Sequence, residues 1–206
     1  MAQAFTWRLE ASVHTPPRRY HAAMAHDSAR GRTVLFGGYD SNSSTTFGDC
    51  WEWDGTDWVA RFSQHYPPAR WMTAMVYDAS RQRLVLFGGF GPQPAMADTW
   101  EFDGIDWQQR IVAPTPAGRF GHAMAYDSAR QRTVLFGGLL SQSGSLSNQT
   151  WEWDGTVWVL RTPGLAPSAR SGHGMAYDPI RQRTVLFGGS NANPLADTWE
   201  WDGTNW

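Results

Sequence analysis

The sequence predicts an all-β fold in which one structural unit is repeated four times around a centre. The segment Arg-Thr-Val-Leu-Phe-Gly-Gly, or a close variant of it, occurs four times, and its glycine pairs lie 51, 49 and 51 residues apart. A tryptophan-rich block follows each copy: WEWDGTDW, WEFDGIDW, WEWDGTVW and WEWDGTNW. A period near fifty, made of short strands and turns, is typical of radial β architectures.

The third copy illustrates the first two predicted strands of the unit, a and b. Residues 120–126 are mostly small or apolar and form strand a, which ends in a turn-forming run whose Asp127 can bond its own backbone. Residues 132–136 are β-branched and aromatic, as a buried strand b requires, and Gly137 and Gly138 end the strand.

The tryptophan block supplies the other two predicted strands, c and d. Residues 151–153 alternate large, polar and large side chains, the pattern of a half-buried strand c. The Asp154-Gly155 pair predicts a two-residue hairpin turn with positive φ at both positions. Residues 157–161 then return as strand d.

Spacing separates the constant part of the unit from its variable part. The arginine that opens strand a lies 17 residues before the phenylalanine of Phe-Gly-Gly in every copy. Length varies only between Gly-Gly and the first tryptophan, in the b–c loops at residues 39–50, 90–99, 139–150 and 190–198. In an up-and-down blade these loops share a face with the d–a connections, and variation confined to one face is typical of a binding surface.

The glycine pairs and the tryptophans that follow them resemble the Kelch repeat. They combine as Gly37-Gly38 with Trp51 and Trp58, Gly88-Gly89 with Trp100 and Trp107, Gly137-Gly138 with Trp151 and Trp158, and Gly188-Gly189 with Trp199 and Trp206. The family's usual tyrosine at the first aromatic position is tryptophan here. The resemblance implies a β-propeller of four four-stranded blades, with strand a lining a central channel and strand d at the rim. We place the blades at about residues 17–62, 68–111, 117–162 and 168–206.

The N-terminal segment carries a fifth copy of strand d. It spans residues 5–10, and Trp7 precedes Arg19 by 12 residues, the interval found in the later copies. The fourth repeat reaches only Trp206, where its own strand d begins. We therefore predict that residues 4–11 complete the fourth blade and close a four-bladed monomer, which also covers a strand edge. One alternative is head-to-tail joining of two chains into an eight-bladed ring. Because Trp7 and Trp206 compete for one position in either case, a second alternative is that this sequence is a fragment of a longer array.

Composition excludes several classes of function. A net charge of −2 gives no reason to expect a nucleic-acid or membrane partner. All 17 basic residues are arginine, which excludes lysine Schiff bases and a phosphate-loop lysine. Cys50 is the only cysteine, so the chain forms no internal disulfide, and a packed thiol is the expected role. The sequence shows neither a signal peptide nor a transmembrane segment and predicts a soluble protein of undetermined compartment.

Candidate ligand-binding residues lie where strand a begins. The side chains after the opening arginines differ from copy to copy and are expected at the channel mouth: Tyr20, Trp71, Phe120 and Ser171. The arginines themselves would form a cationic ring suited to a carboxylate or an acidic peptide: Arg19, Arg70, Arg119 and Arg170. The alternative is a structural role, in which each arginine bonds backbone carbonyls or a carboxylate such as Glu52, Glu101 or Glu152.

Two histidines complete the candidate set, and no metal or cofactor is predicted. His122 and His173 occupy equivalent positions, where the first two copies have Ala22 and Thr73. They could face a ligand in the channel, but no third residue completes a metal site. The Asp-Gly turns lack the oxygen-rich ligand set of a calcium site. The repeated tryptophans are expected to pack between neighbouring blades rather than to stack on a carbohydrate.

The leading functional hypothesis is a non-catalytic binding scaffold. Kelch domains usually act in protein interaction, so the resemblance implies a protein, peptide or small ligand at the b–c loops. One alternative is a Kelch-type metalloenzyme, either an oxidase with copper and a cysteine–tyrosine cofactor or an iron-dependent lyase-like protein. Cys50 lies in the tryptophan block, away from any Tyr and His partners, which disfavours the oxidase. The other alternative is a structural module without a ligand.

Overall fold

The structure is a computed structural model that describes residues 8–91, 95–140 and 145–206. Within those ranges the regular elements are all β-strands. Apart from one two-stranded hairpin, they form four small antiparallel sheets arranged as the blades of a four-bladed β-propeller. This confirms the predicted fold class. The described residues form no helix with the length and apolar character needed to span a membrane.

Each blade is an antiparallel meander in which consecutive strands pair. Blade 1 and its loop contain β1 (Ala23–Asp27), β2 (Arg32–Phe36), β3 (Tyr39–Asp40), β4 (Thr45–Thr46), β5 (Cys50–Trp53) and β6 (Trp58–Arg61). Blade 2 contains β7 (Ala74–Asp78), β8 (Arg83–Phe87), β9 (Thr99–Phe102) and β10 (Trp107–Arg110). Blade 3 contains β11 (Ala123–Asp127), β12 (Arg132–Phe136), β13 (Thr150–Trp153) and β14 (Trp158–Arg161). Blade 4 contains β15 (Gly174–Asp178), β16 (Arg183–Phe187) and β17 (Thr198–Trp201). The short β3–β4 hairpin lies inside the first b–c loop.

The second strand of each blade forms the centre of the core. Val34, Val85 and Val134 are fully buried in strands that have a paired neighbour on each edge. Phe36 and Phe87, which end β2 and β8, are also fully buried, and burial of one such side chain contributes about 1.5–3 kcal/mol. The Val-Leu-Phe run that precedes Gly-Gly is therefore buried throughout in blades 1 to 3, whereas its last residue in blade 4, Phe187, is 57% exposed.

The turn between strands c and d differs from the predicted one. Trp153 pairs with Trp158, so the loop contains four residues rather than two. The Asp154 carboxylate accepts a hydrogen bond from the Thr156 backbone N–H at 2.8 Å, and Gly155 has a φ of 97°. The prediction of a two-residue turn with two positive φ values was wrong, because the aspartate side chain closes a longer loop.

Aromatic and polar contacts join one blade to the next, as expected for the repeated tryptophans. Between blades 2 and 3, the ring of Trp158 lies 5.3 Å from that of Phe87, measured between centroids. The Trp158 indole N–H donates to Thr99 Oγ1 at 2.9 Å, and the Trp153 indole N–H donates to Glu101 Oε1 at 3.0 Å. Buried tryptophans usually find such an acceptor. The repeated tryptophans thus belong to the framework of the fold.

The predicted closure of the ring is not formed in the described part of the chain. The inner strands β1, β7, β11 and β15 pack in succession, but among the described residues no comparable packing joins β15 to β1. The fourth sheet has three strands. Of the segment expected to complete it, residues 4–7 lie outside the described residues, and residues 8–11 pair with no strand.

The competition between Trp7 and Trp206 offers a physical reason for this result. Trp206 occupies the position of the first residue in strand d, because its indole N–H donates to Thr150 Oγ1 at 2.8 Å and its ring lies 5.1 Å from that of Phe136. The place that Trp7 would need is therefore filled. The predicted blade boundaries and the role of the N-terminal strand stay predictions.

Candidate functional site

The four opening arginines form a repeated structural clamp beneath the b–c loops, which blade 2 illustrates. Arg70 is fully buried and holds Asp98 through two N–H···O bonds, of 2.6 and 2.7 Å. It also donates to the carbonyls of Gly88 and Pro68, each at 2.9 Å. The Trp100 indole N–H completes the group with a 2.7 Å bond to Asp98. All three nitrogens of the guanidinium thus donate to oxygen atoms of the protein.

The structure corrects the proposed cationic ring at the channel mouth. The clamp arginines are buried and bonded to protein groups in all four blades: Arg19, Arg70, Arg119 and Arg170. The structural alternative therefore describes them better, although their carboxylate partners are aspartates: Asp49, Asp98 and Asp197. The glutamates named as candidate partners bond other arginines, from the a–b turns: Arg30, Arg81 and Arg130.

The clamp of blade 3 contains no carboxylate. Gln149 stands where the other blades have aspartate, and its amide oxygen accepts a 2.9 Å bond from Arg119. Burial lowers the pKa of Arg119 to about 10. In blade 2 burial alone would raise the pKa of Asp98, but the hydrogen bonds and charge of Arg70 outweigh it, so that pKa is lowered. Arg70 and Arg119 therefore occupy equivalent positions in their blades, but Arg70 has a carboxylate partner and Arg119 has a neutral one.

A row of aromatic rings crosses the outer side of this clamp, on the b–c face. Tyr39 stacks on Trp71 with ring centroids 5.3 Å apart, and Tyr20 meets Tyr39 edge-on at 5.6 Å. The row continues through Phe90, which lies 5.5 Å from Trp71 and 5.1 Å from Phe120. The structure thus brings three of the predicted site residues, one from each of blades 1, 2 and 3, into one continuous aromatic row.

Two members of the aromatic row were missed by the sequence analysis. Tyr39 and Phe90 immediately follow Gly-Gly and bridge to Tyr20 and Trp71 through their backbones. In the other two blades the corresponding residues are Leu139 and Ser190, bridged to Phe120 and Ser171. The sequence does distinguish these residues, because the residue after Gly-Gly differs in every copy, just as the residue after the opening arginine does. It was overlooked because it sits at the edge of the most regular part of the repeat.

Two residues next to the row adopt a backbone conformation that favours glycine. His21 and Met72 have φ values of 55° and 52°, where the later copies have Gly121 and Gly172 at 65° and 68°. A non-glycine residue in this region costs on the order of 1 kcal/mol or more. Both side chains line the central cavity, so blades 1 and 2 place larger groups at the mouth than blades 3 and 4 do.

The central cavity has a volume of about 270 Å³ and draws residues from all four blades. His122 and His173 line it but are mostly buried, and neither ring nitrogen of either residue has a hydrogen-bond partner within the described structure. Burial, with the charge of Arg119 and the neighbouring His173, lowers the pKa of His122 to about 3. Burial and Arg170 lower the pKa of His173 to about 4, so both rings are neutral at physiological pH.

No group of three or more His, Cys, Asp or Glu side chains placed to hold a metal ion occurs among residues 8–91, 95–140 and 145–206. Cys50 is buried, and burial together with Glu52 raises the pKa of its thiol to about 12. A thiol of this kind stays protonated and packs as a small apolar group.

A family model described as the KLHDC2/KLHL20/DRC7 Kelch-repeats domain matches residues 57–206. This range includes blades 2, 3 and 4 and the end of blade 1. No curated protein matches the chain.

Proposed function

Because the chain belongs to the Kelch-repeat family, we propose that it is a binding scaffold whose b–c face holds a peptide or protein segment with apolar side chains. The aromatic row, defined as Tyr20, Tyr39, Trp71, Phe90 and Phe120, is the contact surface in this proposal. The observation that carries it is the continuity of these rings across three blades on the face where the loops vary.

The chain itself supports the view that the row is not needed for folding. Blade 4 has Ser171 and Ser190 at the two row positions and keeps the same backbone bridge, with N–H···O distances of 3.1 and 2.9 Å. The corresponding bridge of Trp71 and Phe90 has distances of 2.8 Å in both directions. The rings at these positions in blades 1 and 2, and Phe120 in blade 3, therefore add surface that the framework does without in blade 4.

The exposure of the row also suits a binding surface. Its rings are half-buried or exposed, whereas Trp153, Trp158 and Trp201, which lie between blades 2, 3 and 4, are fully buried. Aromatic side chains supply large contact areas with little loss of conformational entropy, and they are enriched at the energetic centres of interfaces. A partner with apolar side chains would release water from these rings, while the b–c loops would contact its flanks.

The central cavity beside the row supports an uncharged or weakly polar contact. His122 and His173 are neutral near pH 7 and offer nitrogen atoms without internal partners. The clamp arginines are buried and present no guanidinium group at the surface. We therefore favour an apolar segment over the acidic peptide or carboxylate that a cationic ring would bind. Binding of a small ligand in the central cavity is the second candidate function.

The test is selection from a displayed random-peptide library against the purified chain. Selected peptides should be rich in apolar and aromatic residues, and Trp71→Ala should weaken their binding at least tenfold. The matched control is Phe62→Ala, which removes an aromatic ring that is 92% exposed on blade 1 and belongs to neither the row nor the cavity.

Loss of peptide binding in both variants, or in neither, would contradict the assignment of the aromatic row. Circular dichroism and thermal unfolding of each variant separate loss of contact from loss of fold. Enrichment of acidic peptides that still bind Trp71→Ala would instead favour the cationic surface that the buried arginines argue against.

A further inference from the structure

We propose that the central cavity is an anchor pocket for one carboxamide side chain, that of an asparagine or a glutamine, from the segment that the aromatic row binds. The proposal rests on the proposed function of the row and adds what the cavity beside it recognises. Its two central residues are His122 and His173, which both line the cavity.

The two histidines occupy equivalent places between blades that the structure describes. The His122 ring meets Phe87 of blade 2 edge-on, with centroids 5.6 Å apart, and the His173 ring meets Phe136 of blade 3 in the same way at 5.5 Å. A Cβ on the first glycine of the preceding Gly-Gly pair would lie only 3.1 Å from His122 Cε1 and 2.8 Å from His173 Cε1. Packing against the preceding blade therefore fixes the position of both rings.

The histidine rings are buried without the hydrogen bonds that buried polar groups require. His122 is 6% exposed and His173 is 7% exposed, and their four ring nitrogens have no partner within the described structure. Buried polar groups in folded proteins are nearly always paired, because an unpaired one has lost its bonds to water without replacement. Two equivalent exceptions in the wall of one cavity indicate groups that a bound molecule completes.

The frame of the repeat does not need an imidazole at this position. Thr73 is the equivalent residue of blade 2, and its hydroxyl donates to the Phe87 carbonyl at 2.8 Å, so it is paired inside its own blade. Blade 1 has Ala22 here, which carries no polar group. Histidine in blades 3 and 4 therefore adds hydrogen-bonding groups to the cavity that blades 1 and 2 do without.

The cavity favours an uncharged occupant. None of the described residues that line it is an arginine, an aspartate or a glutamate. His122 and His173 are neutral near pH 7, because burial and nearby arginines lower their pKa values to about 3 and about 4. A charged side chain brought into this cavity would lose its hydration and find no opposite charge, which is strongly unfavourable.

The pairing capacity of two neutral imidazoles matches a carboxamide. Each neutral ring offers one N–H donor and one bare nitrogen that accepts. A carboxamide offers N–H donors and a carbonyl acceptor, so one group can bond the donor of one ring and the acceptor of the other. A carboxylate can only accept, an ammonium group can only donate, and an alkyl group leaves both rings unpaired.

The position and size of the cavity suit one side chain of a segment lying on the row. His21, in the wall of the cavity, follows the row residue Tyr20, and its ring lies 4.9 Å from that of Tyr20 and 5.6 Å from that of Trp71. The row and the cavity are therefore continuous. A volume of about 270 Å³ lies just below the range of about 300–1,000 Å³ that is usual for sites of drug-sized ligands. It therefore suits a single side chain.

The first experiment uses the wild-type chain and three small probes: butyramide, butyrate and butylammonium. NMR of the imidazole Cε1–H groups at pH 7 follows each histidine, and His122→Thr and His173→Thr assign the two signals. Threonine suits this purpose because blade 2 folds with Thr73 at the same position. We expect butyramide to shift both signals in a saturable way, whereas the charged probes leave them unchanged. The exposed His26, which does not line the cavity, serves as the internal control.

The second experiment is a double-mutant cycle with the peptides selected from the displayed library. An asparagine or a glutamine should recur in them, and its replacement by leucine should weaken binding to the wild type at least tenfold. The same replacement should change binding less than twofold in the variant that combines His122→Thr and His173→Thr, because the partners of the amide are then absent. Trp71→Ala should weaken both peptides alike, because it acts on the row.

The outcomes separate the pocket from the row. Peptides that depend on Trp71 but bind equally well with leucine in place of the amide would overturn the anchor pocket and leave the function of the row intact. Peptides that are insensitive to Trp71→Ala would contradict the row instead. The small probes do not require the row, so they test the pocket by themselves. Equal shifts of the two histidines with butyrate and butyramide, or no shift with butyramide, would overturn the proposal.

Discussion

Arg70 and Trp71 are neighbours in the sequence but belong to two different regions of the molecule. Arg70 is fully buried, and all its donor groups bond protein oxygens in the clamp under the loops. Trp71 is half-exposed on the b–c face and contacts other rings of the aromatic row. Four repeats keep the arginine, whereas the next residue is Tyr, Trp, Phe or Ser.

The difference shows how a repeat divides its residues between folding and binding. A clamp with saturated hydrogen bonds tolerates little change, because removal of one partner leaves a buried charge without compensation. A ring on the surface is replaceable without such a penalty, as Ser171 demonstrates in blade 4. Repeated residues therefore build the frame, and residues that vary between repeats are where recognition would develop.

The largest loss of stability is expected for Arg70→Ala, which removes the arginine of the clamp in blade 2. The substitution leaves Asp98, which is largely buried, without its ion pair, and breaking a buried pair typically costs about 3–5 kcal/mol. We expect a decrease of that order in the free energy of unfolding, measured by denaturant titration of tryptophan fluorescence. The control is Arg18→Ala, which removes an exposed arginine paired with Asp40 and should cost less than about 1 kcal/mol. Equal effects of the two variants would contradict the assigned role of the clamp.

A smaller effect is expected when Gln149, the neutral partner of Arg119 in the clamp of blade 3, is replaced by the aspartate that the other clamps contain. Gln149→Asp gives the buried Arg119 a carboxylate partner, and we expect the free energy of unfolding at pH 7 to rise by about 1–2 kcal/mol. Gln149→Asn is the matched control, because it shortens the side chain without adding charge. A gain of equal size in both variants would show that length, not charge, limits this clamp.

The same substitution should also change the pH dependence of stability. The pKa of Asp98 is lowered in the folded protein, so its pair stabilises the fold above about pH 4 and loses that contribution as the pH falls further. An aspartate at position 149 should behave alike. The advantage of Gln149→Asp over the wild type should therefore shrink progressively below about pH 4, which acid titration of the two unfolding free energies would measure.

The smallest effect concerns the interface between blades 1 and 2. Trp107 is fully buried, and its indole N–H has no hydrogen-bond partner among the described residues, because Cys50 stands where later blades have Thr99 and Thr150. Cys50→Thr would supply the missing acceptor and should stabilise the protein by about 1 kcal/mol. Cys50→Val has a similar shape without an acceptor. Stabilisation by valine as large as that by threonine would contradict the explanation.

Much of the fold could be predicted because the same strand and turn patterns occur in all four repeats. In blades 1 to 3 the Val-Leu-Phe run before Gly-Gly is buried, and the tryptophan blocks form strands c and d, as predicted. The c–d turn was misassigned because Asp-Gly alone does not reveal that the aspartate closes a four-residue loop. The role of the N-terminal segment stays a prediction: the sequence places Trp7 and Trp206 at one position of the repeat, and Trp206 occupies that position in the structure.

The candidate site could be predicted only in part. Tyr20, Trp71 and Phe120 were found because they vary between repeats, and they do lie in one row. The clamp arginines were placed among the ligand-binding candidates because the sequence does not show which groups are buried. Their aspartate partners lie 27 to 30 residues away in the sequence, just before strand c. Only the folded chain brings these aspartates next to the arginines.

The division between frame and recognition surface is tested most directly by Trp71→Ser combined with Phe90→Ser, which gives blade 2 the two serines of blade 4. The measurement is the binding of the selected peptides together with the free energy of unfolding. We predict that peptide binding falls at least tenfold, whereas the free energy of unfolding changes by less than about 2 kcal/mol, within the usual range of single substitutions. A protein that unfolds, or one that keeps full peptide binding, would contradict the account.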